Sequence, residues 1–94
     1  MVIGSLVLDL EIPECNSLKY KRRVLRSLLD RIRHDYNVSA AEVDQQDAWQ
    51  LACLGVVCVS SDIGYAHGLL EKVVRMVEKS RFDVVILDYA IEML

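Results

Sequence analysis

Residues 38 to 62 read VSAAEVDQQDAWQLACLGVVCVSSD: two strand-like runs, a polar turn between them and a helix cap at the end. The first run, VSAAEV at 38–43, has strand character without clean alternation, and DQQDAW at 44–49 supplies turn formers. LACLGVVCVSS at 51–61 is a longer strand in which almost every side chain is apolar, so both of its faces call for cover. Asp62 then stands where an N-cap belongs. Two strands joined by so short a turn pair antiparallel. The chain is thereby split into one half that must lead into this hairpin and one that must lead out of it.

Upstream, VIGSLVLDLEI at 2–12 alternates, with Val2, Leu6, Leu8, Leu10 and Ile12 on one side and Ser5, Asp9 and Glu11 on the other. Pro13 and the turn formers of PECNS end this strand, and Ser17 is placed to cap a helix that runs to about Tyr36, with Asn37 closing it. Leu18, Leu25, Leu28, Leu29, Ile32 and Tyr36 recur at helical spacing and give that helix one face to bury. Downstream of Asp62, a second helix carries the stripe Ala66, Leu69, Leu70, Val73 and Val77. DVVILDYAIEM at 83–93 closes the chain as a strand, with Val85, Leu87, Tyr89 and Ile91 expected on one face and Asp88 and Glu92 on the other. The order is β-α-β-β-α-β. Two right-handed crossovers convert that order into a four-stranded antiparallel sheet with both helices on one face, an α+β fold of the ferredoxin-like type, in a single domain over residues 1–94.

Composition narrows the function classes. A hydrophobic content of 53% dominated by Leu, Ile and Val argues for a folded globule rather than disorder. The N-terminal stretch lacks the basic region of a secretory signal, and Asp9 and Glu11 break any membrane span, so a cytoplasmic location without membrane association is expected. Cys15, Cys53 and Cys58 have no metal-binding or disulfide spacing and read as reduced, buried residues. His34 and His67 lie on different helices without a neighbouring ligand set, and Ser60 and Ser61 are accounted for by helix capping. The strands at 2–12 and 51–61 hold no Phe, Tyr or Trp, which excludes base stacking on the sheet in the manner of an RNA-recognition domain. PECNS offers no Arg before the helix to cradle an anion as a small phosphatase would. With no catalytic constellation, metal set or cofactor motif in view, a non-enzymatic protein is expected.

The charge is asymmetric. The net charge is -3, yet residues 19–33 hold seven of the eleven bases against Asp30 alone, a local balance of +6 on an otherwise acidic body. Lys19, Arg22, Arg23, Arg26 and Arg33 fall in a sector roughly 100° wide, away from the apolar face. Lys19, Lys21, Arg22 and Arg23 crowd the first turn and a half, where the helix dipole already disfavours cations. Lys21 alone is turned toward the core side, where its stem either snorkels past apolar neighbours or adds its ammonium to the binding stripe. In the turn, Asp44, Gln46, Asp47 and Trp49 form a candidate interaction loop. It supplies too few oxygens for a dedicated metal site, and Trp49 either anchors the loop or lies at a protein contact.

Four stretches, S-L-K-x-K-R at Ser17–Arg22, N-V-S at 37–39, E-V-D-x-Q-D-x-W-Q at 42–50 and L-G-V at 54–56, together resemble the YlxP-like family of small bacterial proteins. The resemblance implies a ferredoxin-like fold without an assigned activity, and a setting in translation initiation or ribosome maturation. It directs attention to Ser17, Lys19, Lys21 and Arg22 and to Asp44, Gln46, Asp47 and Trp49. Position 45, His in many relatives of that family, is Gln here, so no role that needs a histidine in the turn applies to this chain.

Two functional expectations follow. The first is an accessory module that binds RNA phosphates, in ribosomal RNA or the 30S subunit, through Lys19, Lys21, Arg22, Arg23, Arg26 and Arg33, without DNA sequence recognition. The second is a protein-interaction or self-assembly module without a nucleic-acid role. Apolar residues on both faces of LACLGVVCV lead us to expect a homodimer in either case.

Overall fold

The computed structural model describes residues 1–94 and places β1 at Val2–Glu11, α1 at Leu18–Asp35, β2 at Ser39–Asp44, β3 at Leu51–Ser60, α2 at Ile63–Lys79 and β4 at Val85–Met93. The sheet order is β2-β3-β1-β4 with every neighbouring pair antiparallel, the ferredoxin-like arrangement. Both caps read from the sequence form: Ser17 Oγ accepts from Tyr20 N at 3.1 Å and Asp62 Oδ2 from Tyr65 N at 2.8 Å. Each satisfies a backbone donor that a helix start leaves free. α1 ends one residue earlier than the periodicity suggested, with Tyr36 as its C-cap.

Period-two alternation decides what lies beneath the helices. Leu6, Leu8 and Leu10 of β1 pair with Val56, Leu54 and Ala52 of β3, and all six side chains are buried against α1 and α2. Leu25, Leu28 and Ile32 come down from α1, and Ala66, Leu70, Val73 and Val77 from α2. All belong to one cluster of 19 buried residues. The three cysteines are unpaired and buried.

The other face of the sheet is bare. Val7, Leu51, Val57 and Val59 are exposed there, with Val59 at 63%, so the second face of β3 is uncovered within one chain. Its middle is made of small groups, since Ala41, Gly55, Val7 and Ala90 occupy one row across the four strands. Gly55 lies under a close approach: a Cβ there would stand 3.0 Å from Cγ1 of Val43, which would have to shift to admit it. Val43 leans over it because the β2–β3 register shifts between Glu42 and Asp44, an extra residue that brings Asp44 opposite Cys53.

β4 departs from the alternation expected of it. Its pairing with β1 slips between Asp9 and Leu10, so Ile86 pairs with Leu10 and Asp88 with Asp9, and Leu87 is the extra residue. Val85, opposite Glu11, faces the bare side, whereas Ile86, Tyr89, Ile91 and Met93 stand opposite Leu10, Leu8, Leu6 and Gly4 on the helix-bearing side; Ile86, Ile91 and Met93 pack against the core, and Tyr89 on this edge strand stays exposed. The single face proposed for Val85, Leu87, Tyr89 and Ile91 does not form, because a bulge moves each residue after it to the opposite side.

Candidate nucleic-acid interface

The bases of α1 fall into three groups, and geometry rather than sequence position separates them. Lys21 goes inward. It is 1% exposed, and its Nζ donates to Gln45 O at 2.6 Å and Ala48 O at 2.7 Å while facing Glu42 Oε2 at 3.0 Å. Two of the ammonium's three donors go to these carbonyls, and Glu42 Oε2, a buried oxygen that accepts no hydrogen bond, pairs with it by charge alone. Neither reading of Lys21 made from the sequence survives: the head does not snorkel to water and is buried out of a phosphate's reach. Two carbonyls in the β2–β3 turn and an inward-facing glutamate on β2 provide better solvation than the surface.

Arg31 and Arg33 form the second group. Arg31 pairs with Asp35, one turn on. Arg33 lies 3.4 Å from Asp30 and donates through Nη2 to Ala40 O at 2.6 Å, tying the C-terminal half of α1 to the edge strand β2. Its inclusion among the binding residues is therefore corrected: its fork is engaged within the protein. His34, hydrogen-bonded to Asp35 at 3.0 Å, and Arg31 together hold the Asp35 carboxyl below the usual carboxylate range.

Lys19, Arg22, Arg23 and Arg26 are the third group. All four are exposed, and they take part in none of the chain's ion pairs. They alone line a shallow surface recess of about 240 Å³. No acid sits in the first turn of α1, so the positive end of the helix dipole and like-charge spacings of four residues raise the energy of these cations together. Glu11 and Glu14, the nearest acids in sequence, form no ion pair with them. This end of the helix is also held firmly. Tyr20 donates its hydroxyl to Asp83 Oδ2 at 3.0 Å, and that bond, with the Asp83 charge, raises the phenol's pKa.

The candidate loop stands beside this end. Gln45 adopts a left-handed backbone, φ 63°, its N–H bound by Asp44 Oδ1 at 2.8 Å and its carbonyl accepting from Ala48 N at 3.1 Å as well as from Lys21. Farther along, Gln50 O accepts from Ile12 N at 2.9 Å and Gln50 Nε2 donates to Cys15 O at 3.3 Å. The β2–β3 turn, the β1–α1 connection and the start of α1 thus meet at one end of the molecule. Trp49 is 52% exposed on this braced loop, with Gln46 and Asp47 exposed beside it. About half of its surface faces solvent. Lys21 pins the loop through its carbonyls.

On the bare sheet face, Cys53 is held as a thiol, since burial first and the Asp9 carboxylate second push its pKa up. That denies it the thiolate a nucleophile or metal ligand needs.

Comparison with known proteins places this architecture. Residues 3–91 match the family described as a protein of unknown function (DUF503). The uncharacterized protein YlxP of Bacillus subtilis (strain 168) is 34% identical over 77 residues, covering 82% of this chain and 84% of its own length. Among solved structures, the de novo designed protein Foldit4 superposes with a TM-score of 0.55 at 11% identity, over 100% of this chain and 97% of the designed one. That likeness concerns the fold alone.

Proposed function

This chain belongs to the DUF503 family of proteins of unknown function, and on that premise we propose that it is a non-enzymatic accessory module that binds RNA phosphates through Lys19, Arg22, Arg23 and Arg26. The observation that supports it is the isolation of these four cations at the wrong end of a helix dipole, while the other three bases of α1 are each satisfied within the fold. A polyanion offsets both the dipole and the mutual repulsion, and guanidinium forks suit phosphate oxygens. The setting in translation or ribosome assembly, with ribosomal RNA or the 30S subunit as partner in the cytoplasm, comes from the resemblance to the YlxP-like family. Contacts of this kind are weakly sequence-selective. Co-sedimentation with 30S particles tests the proposal: wild type is expected in the pellet at low salt, and the Arg22→Glu, Arg23→Glu, Arg26→Glu variant in the supernatant. Equal pelleting of the two removes the stripe from the mechanism.

A second reading rests on the bare sheet face. Val7, Val43, Val57 and Val59 expose apolar surface, with Val43 leaning over Gly55 and Ala41 and Ala90 in the same row as Val7, an apolar patch that a second copy can cover. Strands of 10, 6, 10 and 9 residues present on the order of 550 Å², against about 800 Å² per partner in a standard interface. A homodimer through this face is thus expected to be weak and to form at micromolar concentration or above. Light scattering that shows only the chain mass of 10.7 kDa on concentrating would remove it.

A further inference from the structure

We infer that Trp49 is a stacking platform for an unpaired RNA base, so that the ligand is single-stranded or looped RNA with its backbone on α1 and one base on the indole. The inference rests on the phosphate reading of α1 and extends it to the class of RNA bound. Three observations carry it.

The first is exposure without looseness. The chain's one tryptophan is 52% exposed, on a loop braced by Lys21 at two carbonyls and by Gln50 at two more hydrogen bonds. A large aromatic surface held ready in this way binds without first ordering its own loop. The second is proximity. Lys21 Nζ reaches Ala48 O at 2.7 Å. Trp49 is the next residue after Ala48, and Arg22, with its exposed guanidinium, the next after Lys21. The third is charge segregation. Asp44 and Asp47 share the loop with Trp49 whereas Lys19, Arg22, Arg23 and Arg26 share the recess on α1. Phosphates are repelled from the loop and drawn to the helix, while a neutral base meets no such penalty at the indole. Exposed Gln46 beside it offers both a donor and an acceptor to a base edge. A duplex keeps its bases stacked and presents none to the indole.

Because Trp49 is the sole indole, the wild-type protein reports on itself. The full chain is titrated with a fluorescein-labelled 12-nucleotide oligouridylate and with a blunt RNA duplex of the same length, following RNA anisotropy and tryptophan emission together. The expected result is binding of both by anisotropy, with quenching of Trp49 by the single strand alone. Trp49→Leu is expected to weaken single-strand binding about fivefold, the low end of a stacking contribution, and to leave duplex binding unchanged. Binding without quenching, and with equal affinity in Trp49→Leu, overturns the stacking role while the phosphate reading stands. Absence of RNA binding by wild type overturns both. If Trp49→Leu instead abolishes concentration-dependent self-association and leaves RNA binding intact, the indole belongs to a protein contact and the inference fails.

Discussion

The two halves of α1 carry similar charges and treat them in opposite ways. In the C-terminal half, Arg31 and Arg33 sit where the helix dipole favours cations, each has an acid one turn away, and Arg33 also holds the backbone of β2. In the N-terminal half, Lys19, Arg22, Arg23 and Arg26 sit where the dipole disfavours them, and no acid approaches. α2 follows the conventional pattern, with Asp62 capping its start and Lys79 in its last turn. The contrast teaches that a basic helix is not one feature. Some of its charges serve the fold, and others persist at a cost that a ligand must offset.

Lys21 is the exception inside the N-terminal half, and replacing it should give the largest effect. Lys21→Met leaves Ala48 O without its side-chain donor, Gln45 O with one donor of two and Glu42 without its counter-charge, a loss of about 3 kcal/mol read from urea unfolding. Adding Glu42→Gln should restore part of it, since the stranded charge is then gone. Next comes Arg33→Ala, which removes the charge-assisted bond to Ala40 O from a half-exposed side chain and should cost about 1 kcal/mol.

The opposite sign is expected from Arg22→Gln, Arg23→Gln, Arg26→Gln. Removing dipole and like-charge penalties of a few tenths of a kcal/mol each should raise the thermal midpoint by a few degrees. A lower midpoint would show that these cations serve the fold after all and would erase the contrast between the halves. The smallest effect is in pH dependence. Asp35 titrates below the ordinary carboxylate range in the folded chain. Its contribution is therefore complete above the unfolded carboxylate pKa and is lost as pH falls through the lower folded value. Asp35→Asn should lower the midpoint slightly through the neutral region and leave it unchanged at acid pH below the folded value, so the acid limb of the midpoint-against-pH curve flattens.

Most of the fold was legible because period and caps agreed: even-numbered residues of β1 and β3 turned inward as alternation required, and Ser17 and Asp62 capped as read. β4 was misread because a bulge leaves no local signature in VILDYAIEM, and one extra residue reverses every side chain after it. The site was half legible. The stripe was visible from helical angle, but which bases lacked partners depends on contacts such as Arg33 with Ala40 O that only folding supplies. Lys21 could have been found. Its angle points into the core, and Glu42 lies opposite Leu54 on the helix-bearing face of β2; two opposite charges at inward positions are best explained by each other. What no pattern encoded was the use of turn carbonyls 24 and 27 residues away to complete the ammonium's shell.

The measurement that tests the central claim most directly is the salt dependence of RNA affinity in two paired variants. Wild type should lose affinity with a slope of log K against log salt of about -3, the value for four phosphate contacts to a single strand. Arg31→Gln with Arg33→Gln should keep that slope, and Arg22→Glu, Arg23→Glu, Arg26→Glu should bind too weakly for a slope to be read. If reversing the N-terminal bases leaves affinity and slope as in wild type, or if neutralising Arg31 and Arg33 abolishes them, the division of α1 into a structural half and a binding half is contradicted.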